Sequence, residues 1–150
     1  MKADAAFDWE PSLAGPCRGK TSLECGANHT IFGQGQAGDS VFFLRRGRVR
    51  LAVTSHDGKE AIIDTINAGG FFGEECLGAQ PLRVKTATSV GAASLIRVEK
   101  ATMARMIRET PGLAQLVVAR LLTRLMRSQD DFVDQLFNSS EKRLARLLLL

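Results

Sequence analysis

The sequence predicts a mostly β domain, a closed or rolled antiparallel sheet, followed by helices of which the last is long. Three observations carry that prediction. Between residues 21 and 98, short apolar or alternating runs are separated by turns containing Gly and Asp, the spacing of an antiparallel sheet rather than a parallel one. After residue 100 the apolar period lengthens from that of a strand to that of a helix. From Val118 onward, Leu122, Leu125, Gln129, Phe132 and Leu136 follow at alternating steps of four and three, a coiled-coil seam with one polar position.

Bulk properties narrow the class. The chain has 150 residues, room for one domain with a proper core and an appended helix. With 20 basic and 16 acidic residues the net charge is +4, too mild to signal nucleic acid by itself. No apolar run reaches the roughly 20 residues a membrane span needs. Residues 1–10 lack the basic start and apolar stretch of a secretory signal, so a cytoplasmic location is expected. Cys17, Cys25 and Cys76 cannot all pair within one chain and form no C-x-x-C motif. Reduced, structurally minor cysteines are expected, with neither a zinc site nor a cluster.

Taken in order, residues 1–19 have no period and read as a loose tail on which Phe7, Trp9 and Leu13 could dock. Thr30-Ile31-Phe32 is a short strand, and residues 33–39 are a turn-rich break. Residues 40–45 form an apolar run that Gly47 is expected to break. Residues 48–53 then alternate as a half-buried strand. His56-Asp57-Gly58-Lys59 is a hairpin turn built on Asp-Gly. Residues 60–66 return as a strand, and residues 86–90 and 94–98 supply two more around Gly91. His29 and His56 have no carboxylate partners in sequence and read as surface or turn residues.

Residues 100–109 form a short helix with Met103, Met106 and Ile107 on one face. Pro111 opens the next helix, where its missing N–H does no harm. That helix is predicted over residues 112–137. Leu113, Val117 and Leu121 make a second apolar stripe on it. A helix apolar on two sides needs two partners, its own domain and a second copy of itself. Asn138-Ser139-Ser140-Glu141 reads as a break with Ser139 or Ser140 as the cap of a new helix. That helix runs into leucines at 147–150, so a following domain is expected.

The stretch most suggestive of chemistry is Gly69-Gly70-Phe71-Phe72-Gly73-Glu74-Glu75-Cys76-Leu77-Gly78, followed by Pro81-Leu82-Arg83. Its glycines permit positive φ and close approach of a ligand to backbone. Glu74 and Glu75 sit early in one helical turn, whose unpaired N–H groups suit an anion. Arg83 would be the fixed cation, able to fork onto a phosphate. Glu74 would accept from a sugar hydroxyl, so the set suits a ribose phosphate. The same residues also make an ordinary loop closed by a surface ion pair, and the composition alone leaves both readings open.

Residues beyond that stretch carry a resemblance. Gly38-Asp39-Ser40-Val41-Phe42-Phe43-Leu44, Gly47-Arg48-Val49, Gly58-Lys59-Glu60 and Gly70-Phe71-Phe72-Gly73-Glu74 resemble the cyclic-nucleotide-binding fold of the CRP/FNR bacterial transcription regulators. Asp134-Gln135-Leu136-Phe137-Asn138-Ser139-Ser140-Glu141-Lys142-Arg143-Leu144-Ala145-Arg146 is similar to the hinge that joins sensor to winged-helix domain in that family. The resemblance covers residues 20–150. It implies a double-stranded β-helix (jelly-roll) β-roll over 20–110, a dimerisation helix over 111–137, and a hinge with the start of a DNA-binding domain over 138–150.

It further implies that the Gly-Glu turn is a phosphate-binding cassette. Gly73 and Glu74 would make backbone and ribose contacts and Arg83 would hold the cyclic phosphate, with Glu75, Cys76, Val84 and Thr86 around them. Ser128 and Gln129 match positions that meet the purine across the dimer. The implied ligand is cyclic AMP or cyclic GMP, without a metal. The implied partners are a second copy of the chain and DNA, with no membrane, and no enzymatic activity is expected. Two departures stand out. Cyclic AMP binders follow the cassette arginine with Ser or Thr and then Ala, whereas Val84-Lys85 follow Arg83 here, and the cassette is one residue short. The alternative is a ligand-independent dimerisation scaffold in which Arg83 pairs with Glu74 or Glu75.

Overall fold

The computed structural model describes residues 18–149. Cys17, the expected docking of Phe7, Trp9 and Leu13, and most of the expected tail lie outside them. Six strands make one antiparallel sheet: β1 (Lys20–Cys25), β2 (Thr30–Phe32), β3 (Ser40–Thr54), β4 (Glu60–Asn67), β5 (Phe71–Phe72) and β6 (Thr86–Glu99). Two helices follow, α1 (Lys100–Glu109) and α2 (Pro111–Leu148). The backbone divides into two units, one ending at Glu109 and the other beginning at Thr110. This is the predicted mostly β roll with a long C-terminal helix.

The main path of the sheet is β1-β6-β3-β4, with β2 added to β6 and β5 to β3. Its core follows from strand alternation: Phe42, Leu44, Val49, Leu51, Ile66, Phe72, Ala87 and Leu95 are buried together with Phe32. Phe42 and Phe72 sit opposite each other across β3 and β5 and stack with ring centres 5.3 Å apart. Burying side chains of this size contributes about 1.5–3 kcal/mol each. In α1, Met103 and Met106 are buried and Ile107 half-buried, as the spacing predicts.

Two predicted breaks in the sheet are absent. Gly47 and Gly91 do not end strands; β3 and β6 run through them. Both glycines have positive φ, and the pairing of β3 with β6 slips on either side of residue 46. Gly47 is thus a bulge residue rather than a terminator. It lies so close to β6 that a Cβ there would stand 2.5 Å from the Ala92 carbonyl oxygen. Two strands give no sequence alternation to announce them: β1, exposed along much of one face, and the two-residue β5.

The predicted break at residues 138–141 is also absent, since α2 is continuous over 38 residues. Ser140 Oγ donates to the Leu136 carbonyl at 2.9 Å, a bond one helical turn back that lets the serine sit inside the helix instead of capping it. Within α2, Leu113 and Val117 are buried, while Leu121 is exposed. Val118, Leu122, Leu125, Phe132 and Leu136 are all more than half exposed. The seam read from the sequence is therefore an uncovered apolar stripe. Among the described residues no helix is long and apolar enough to cross a membrane.

Candidate functional site

Gly73 places the site. It has φ +80 and precedes a short 3-10 turn over Glu74–Leu77, with no side-chain cap. A left-handed residue there suits glycine, which pays no Cβ penalty. It also leaves room for an arginine, because a Cβ on Gly73 would lie 2.9 Å from Arg83 Nη1.

Arg83 is only 6% exposed. Its backbone is held against residues 35–38: the Gly35 N–H donates to the Arg83 carbonyl at 2.7 Å, the Arg83 N–H to the Gln36 carbonyl at 2.7 Å, and the Gly38 N–H to the Pro81 carbonyl at 2.9 Å. The side chain then enters the roll. Nη1 donates to the Gly73 carbonyl at 2.8 Å and Nη2 to the Ser40 carbonyl at 2.7 Å, with the Ser40 hydroxyl at 3.4 Å. The guanidinium carbon lies 4.2 Å from the centre of the Phe32 ring, a cation–π contact. Nε is buried and has no hydrogen-bond partner. A Cβ on Gly38 would stand 3.5 Å from that atom.

The hydrogen-bond partners of this buried cation are therefore all neutral. Desolvating a guanidinium without an ion-pair partner is costly, so the arrangement has electrostatic demand for an anion. The nearby carboxylate that feels its charge, Asp39, has other engagements. Ser40 Oγ donates to its Oδ1 at 3.0 Å, and Arg97 Nη2 lies 3.2 Å from its Oδ2. Partial burial opposes ionisation of Asp39, but the Ser40 bond and the charges of Arg97 and Arg83 outweigh it, holding this carboxyl below its ordinary value.

The other predicted residues divide by location. Gly73 and Cys76 are buried beside Arg83; Cys76 Sγ donates to the same Ser40 carbonyl at 3.5 Å. Burial raises the Cys76 thiol above its usual range against the opposing influence of Arg83. Glu74 and Glu75 are half-buried on the turn. Glu75 pairs with Lys85 at 2.6 Å, so the imagined pairing of Arg83 with Glu75 gives way to a pair with the next cation along the chain. The Arg83 bonds go to backbone oxygens, not to Glu74. Val84 is exposed, and Thr86 Oγ1 accepts from the Gln34 N–H at 3.0 Å. Ser128 and Gln129 are exposed on α2, in the other backbone unit.

Sequence reading missed the contributions of Ser40, Phe32 and residues 35–38. The contacts of Ser40 and of residues 35–38 run largely through main-chain atoms that every residue type carries, so no side-chain motif signals them. Among the described residues, no group of three or more His, Cys, Asp or Glu side chains converges as a metal site would require.

A rolled antiparallel sheet, with a glycine bend folded over a buried guanidinium, defines the class: an antiparallel β-roll. The family described as Cyclic nucleotide-binding domain is matched over residues 23–110, and the chain belongs to that family. Its curated relatives include CRP-type transcriptional regulators. The Cyclic AMP receptor protein of Thermus thermophilus is 32% identical over 120 residues, covering 79% of this chain and 55% of that protein. The CRP-like cAMP-activated global transcriptional regulator of Mycobacterium tuberculosis is 24% identical over 121 residues, covering 81% and 54%. Among solved structures, the Thermus thermophilus catabolite activator protein superimposes with a TM-score of 0.71 at 27% identity, over 89% of this chain and 61% of that one. The sensor domain of the transcriptional regulator DNR from Pseudomonas aeruginosa gives 0.62 at 25%, over 74% and 75%. The chain spans about half the length of the curated relatives it matches.

Proposed function

We propose that this chain is the effector-sensing and dimerisation part of a CRP/FNR-type transcription regulator, binding a cyclic nucleotide through the Arg83 cassette. One observation carries the reading: a buried guanidinium whose hydrogen bonds all go to neutral oxygens and whose Nε has no partner. A cyclic phosphate supplies the missing charge. A phosphate adds a second ionised partner and can take two parallel N–H donors, a Coulomb attraction that the neutral Gly73 and Ser40 carbonyls lack. Glu74 is assigned the ribose, and Ser128 and Gln129 the purine, as in the family.

The exposed stripe of α2 is the proposed meeting surface of two copies, with Gln129 fixing register at a cost in stability. Effector occupancy favours one dimer arrangement by binding it more tightly, and a DNA-binding domain reads the difference. The test is calorimetric titration with cyclic AMP and with cyclic GMP, wild type against Arg83→Ala. Binding by the wild type that the variant loses is expected. No heat with either nucleotide removes both as ligands and leaves a dimerisation scaffold.

A further inference from the structure

The outer face of the roll carries two arginines that no carboxylate answers. Arg48 and Arg50 alternate along β3 with Val49 and Leu51, which are buried members of the core. Residues two apart share a face of a strand, so both arginines leave the sheet on the side away from the core. Register fixes their neighbours on that side. Arg48 stands opposite Asn67 of β4 and Val90 of β6, and Arg50 opposite Thr65 and Thr88. None of the four is acidic. The acids of β4, Glu60 and Asp64, stand opposite Thr54 and Leu51 instead. Among the described residues, neither arginine forms an ion pair. Arg50 is half-buried, and its Nε is shielded from water without a hydrogen-bond partner. A donor that has lost solvent and gained no acceptor is costly. A carboxylate taken side-on, by Nε and one terminal nitrogen, would give it that acceptor.

Charge and spacing set what fits this face. Carboxylates on alternate residues of an extended chain repeat at about 6.5–7 Å, the same repeat that separates Arg48 from Arg50 along β3. The flanking side chains are short and uncharged, and Val90 is exposed enough to offer apolar contact between the two cations. Strand β3 is already paired on both edges, by β4 and by β6, so an incoming segment is held through side chains rather than as an added strand. A nucleic-acid strand also carries regularly spaced anions, but no aromatic side chain stands at these positions for its bases to stack on.

We propose that the outer face of β3 is a docking surface for an extended acidic segment of a partner protein, with Arg48 and Arg50 each forking onto a carboxylate. The face points away from the core in which Arg83 sits, so this proposal and the cyclic-nucleotide reading can each fail alone.

Fluorescence anisotropy tests it with a short labelled peptide that alternates Glu with Thr, titrated with the whole chain at low ionic strength. Binding is expected, and added salt should weaken it. Arg50→Gln is expected to weaken binding by about tenfold and the more exposed Arg48→Gln by about threefold. Lys59→Gln removes the same charge from the β3–β4 hairpin and should change affinity by less than about twofold. A peptide of the same composition with its glutamates contiguous should bind more weakly than the alternating one. No binding by the wild type overturns the proposal, as does a loss in Lys59→Gln equal to that in the arginine variants. Tighter binding of a single-stranded oligonucleotide of matching charge also overturns it. Should an arginine variant not fold, the two peptides on the unaltered chain decide, and equal affinity for both overturns the proposal. Cyclic-nucleotide titration of Arg50→Gln should match the wild type, which keeps the outcome separate from that of the Arg83 site.

Discussion

Arg83 and Gly73 are mutually dependent. Arg83 Nη1 donates to the Gly73 carbonyl at 2.8 Å, and the absence of a side chain at Gly73 is what lets the guanidinium reach it. The bend that opens the cassette and the cation that closes it are ten residues apart and form one structural element.

Removing the arginine should therefore weaken the fold as well as the ligand site. Arg83→Ala takes the guanidinium donor from the buried Gly73 carbonyl and leaves the Ser40 carbonyl only the weak Cys76 thiol, at about 1–3 kcal/mol for each lost bond, partly offset because a buried charge is also removed. A net loss of about 2–4 kcal/mol is expected from urea denaturation midpoints. Arg83→Lys keeps the charge but cannot fork to two carbonyls, and should fall between wild type and alanine. Equal stability of all three forms would mean that the clasp contributes nothing to folding.

The bulge at Gly47 should be far less tolerant than the hairpin at Gly58. Both have positive φ, so alanine costs about 1–2 kcal/mol of backbone strain at either. At Gly58 nothing lies within 4 Å of the added atom, whereas at Gly47 it meets the Ala92 carbonyl oxygen and the Ala93 backbone. Gly47→Ala is expected to lower the thermal midpoint by clearly more than Gly58→Ala, measured by calorimetry. Matching losses would show that β6 gives way freely at Ala92.

Self-association should map to α2. Leu125→Asp places a charge in the centre of the exposed seam and should shift the chain toward monomer in sedimentation equilibrium. Gln129→Leu should tighten the association while loosening its choice of register or copy number. A wild-type chain that sediments as a monomer at high concentration would remove the dimer from the proposal.

The buried thiol gives a pH dependence of definite sign. Burial raises Cys76 in the folded state above its unfolded value, so its contribution to stability is complete below the unfolded value and is lost as pH rises through the folded one. Alkaline conditions should thus weaken the fold, and Cys76→Ser, whose hydroxyl does not titrate there, should flatten that limb. Iodoacetamide should label half-buried Cys25 before Cys76 in the folded chain. Fast labelling of Cys76 at neutral pH would contradict its burial.

Much of the fold was legible because its signals are side-chain periods. The hairpin at residues 56–59, the strand at Thr30–Phe32 and helix α1 fall where alternation, Asp-Gly and methionine spacing put them. The errors share a cause. Gly47 and Gly91 read as stops because glycine ends strands more often than it bulges them, and only the nearness of β6 to Gly47 favours the bulge. Asn138-Ser139-Ser140 read as a cap because the bond from Ser140 to Leu136 cannot be told from a capping bond by composition. At the site, the Gly73 bend and the inward arginine were visible. What holds the arginine was not, because its acceptors are peptide oxygens.

That choice of acceptor has an evolutionary corollary. The Ser40 carbonyl takes both the Arg83 and the Cys76 donors, and it belongs to the main chain. Substituting residue 40 cannot delete that oxygen, so sequence drift at this position cannot undo the fastening. A descendant of this chain that abandoned its ligand would keep the socket long after losing the plug.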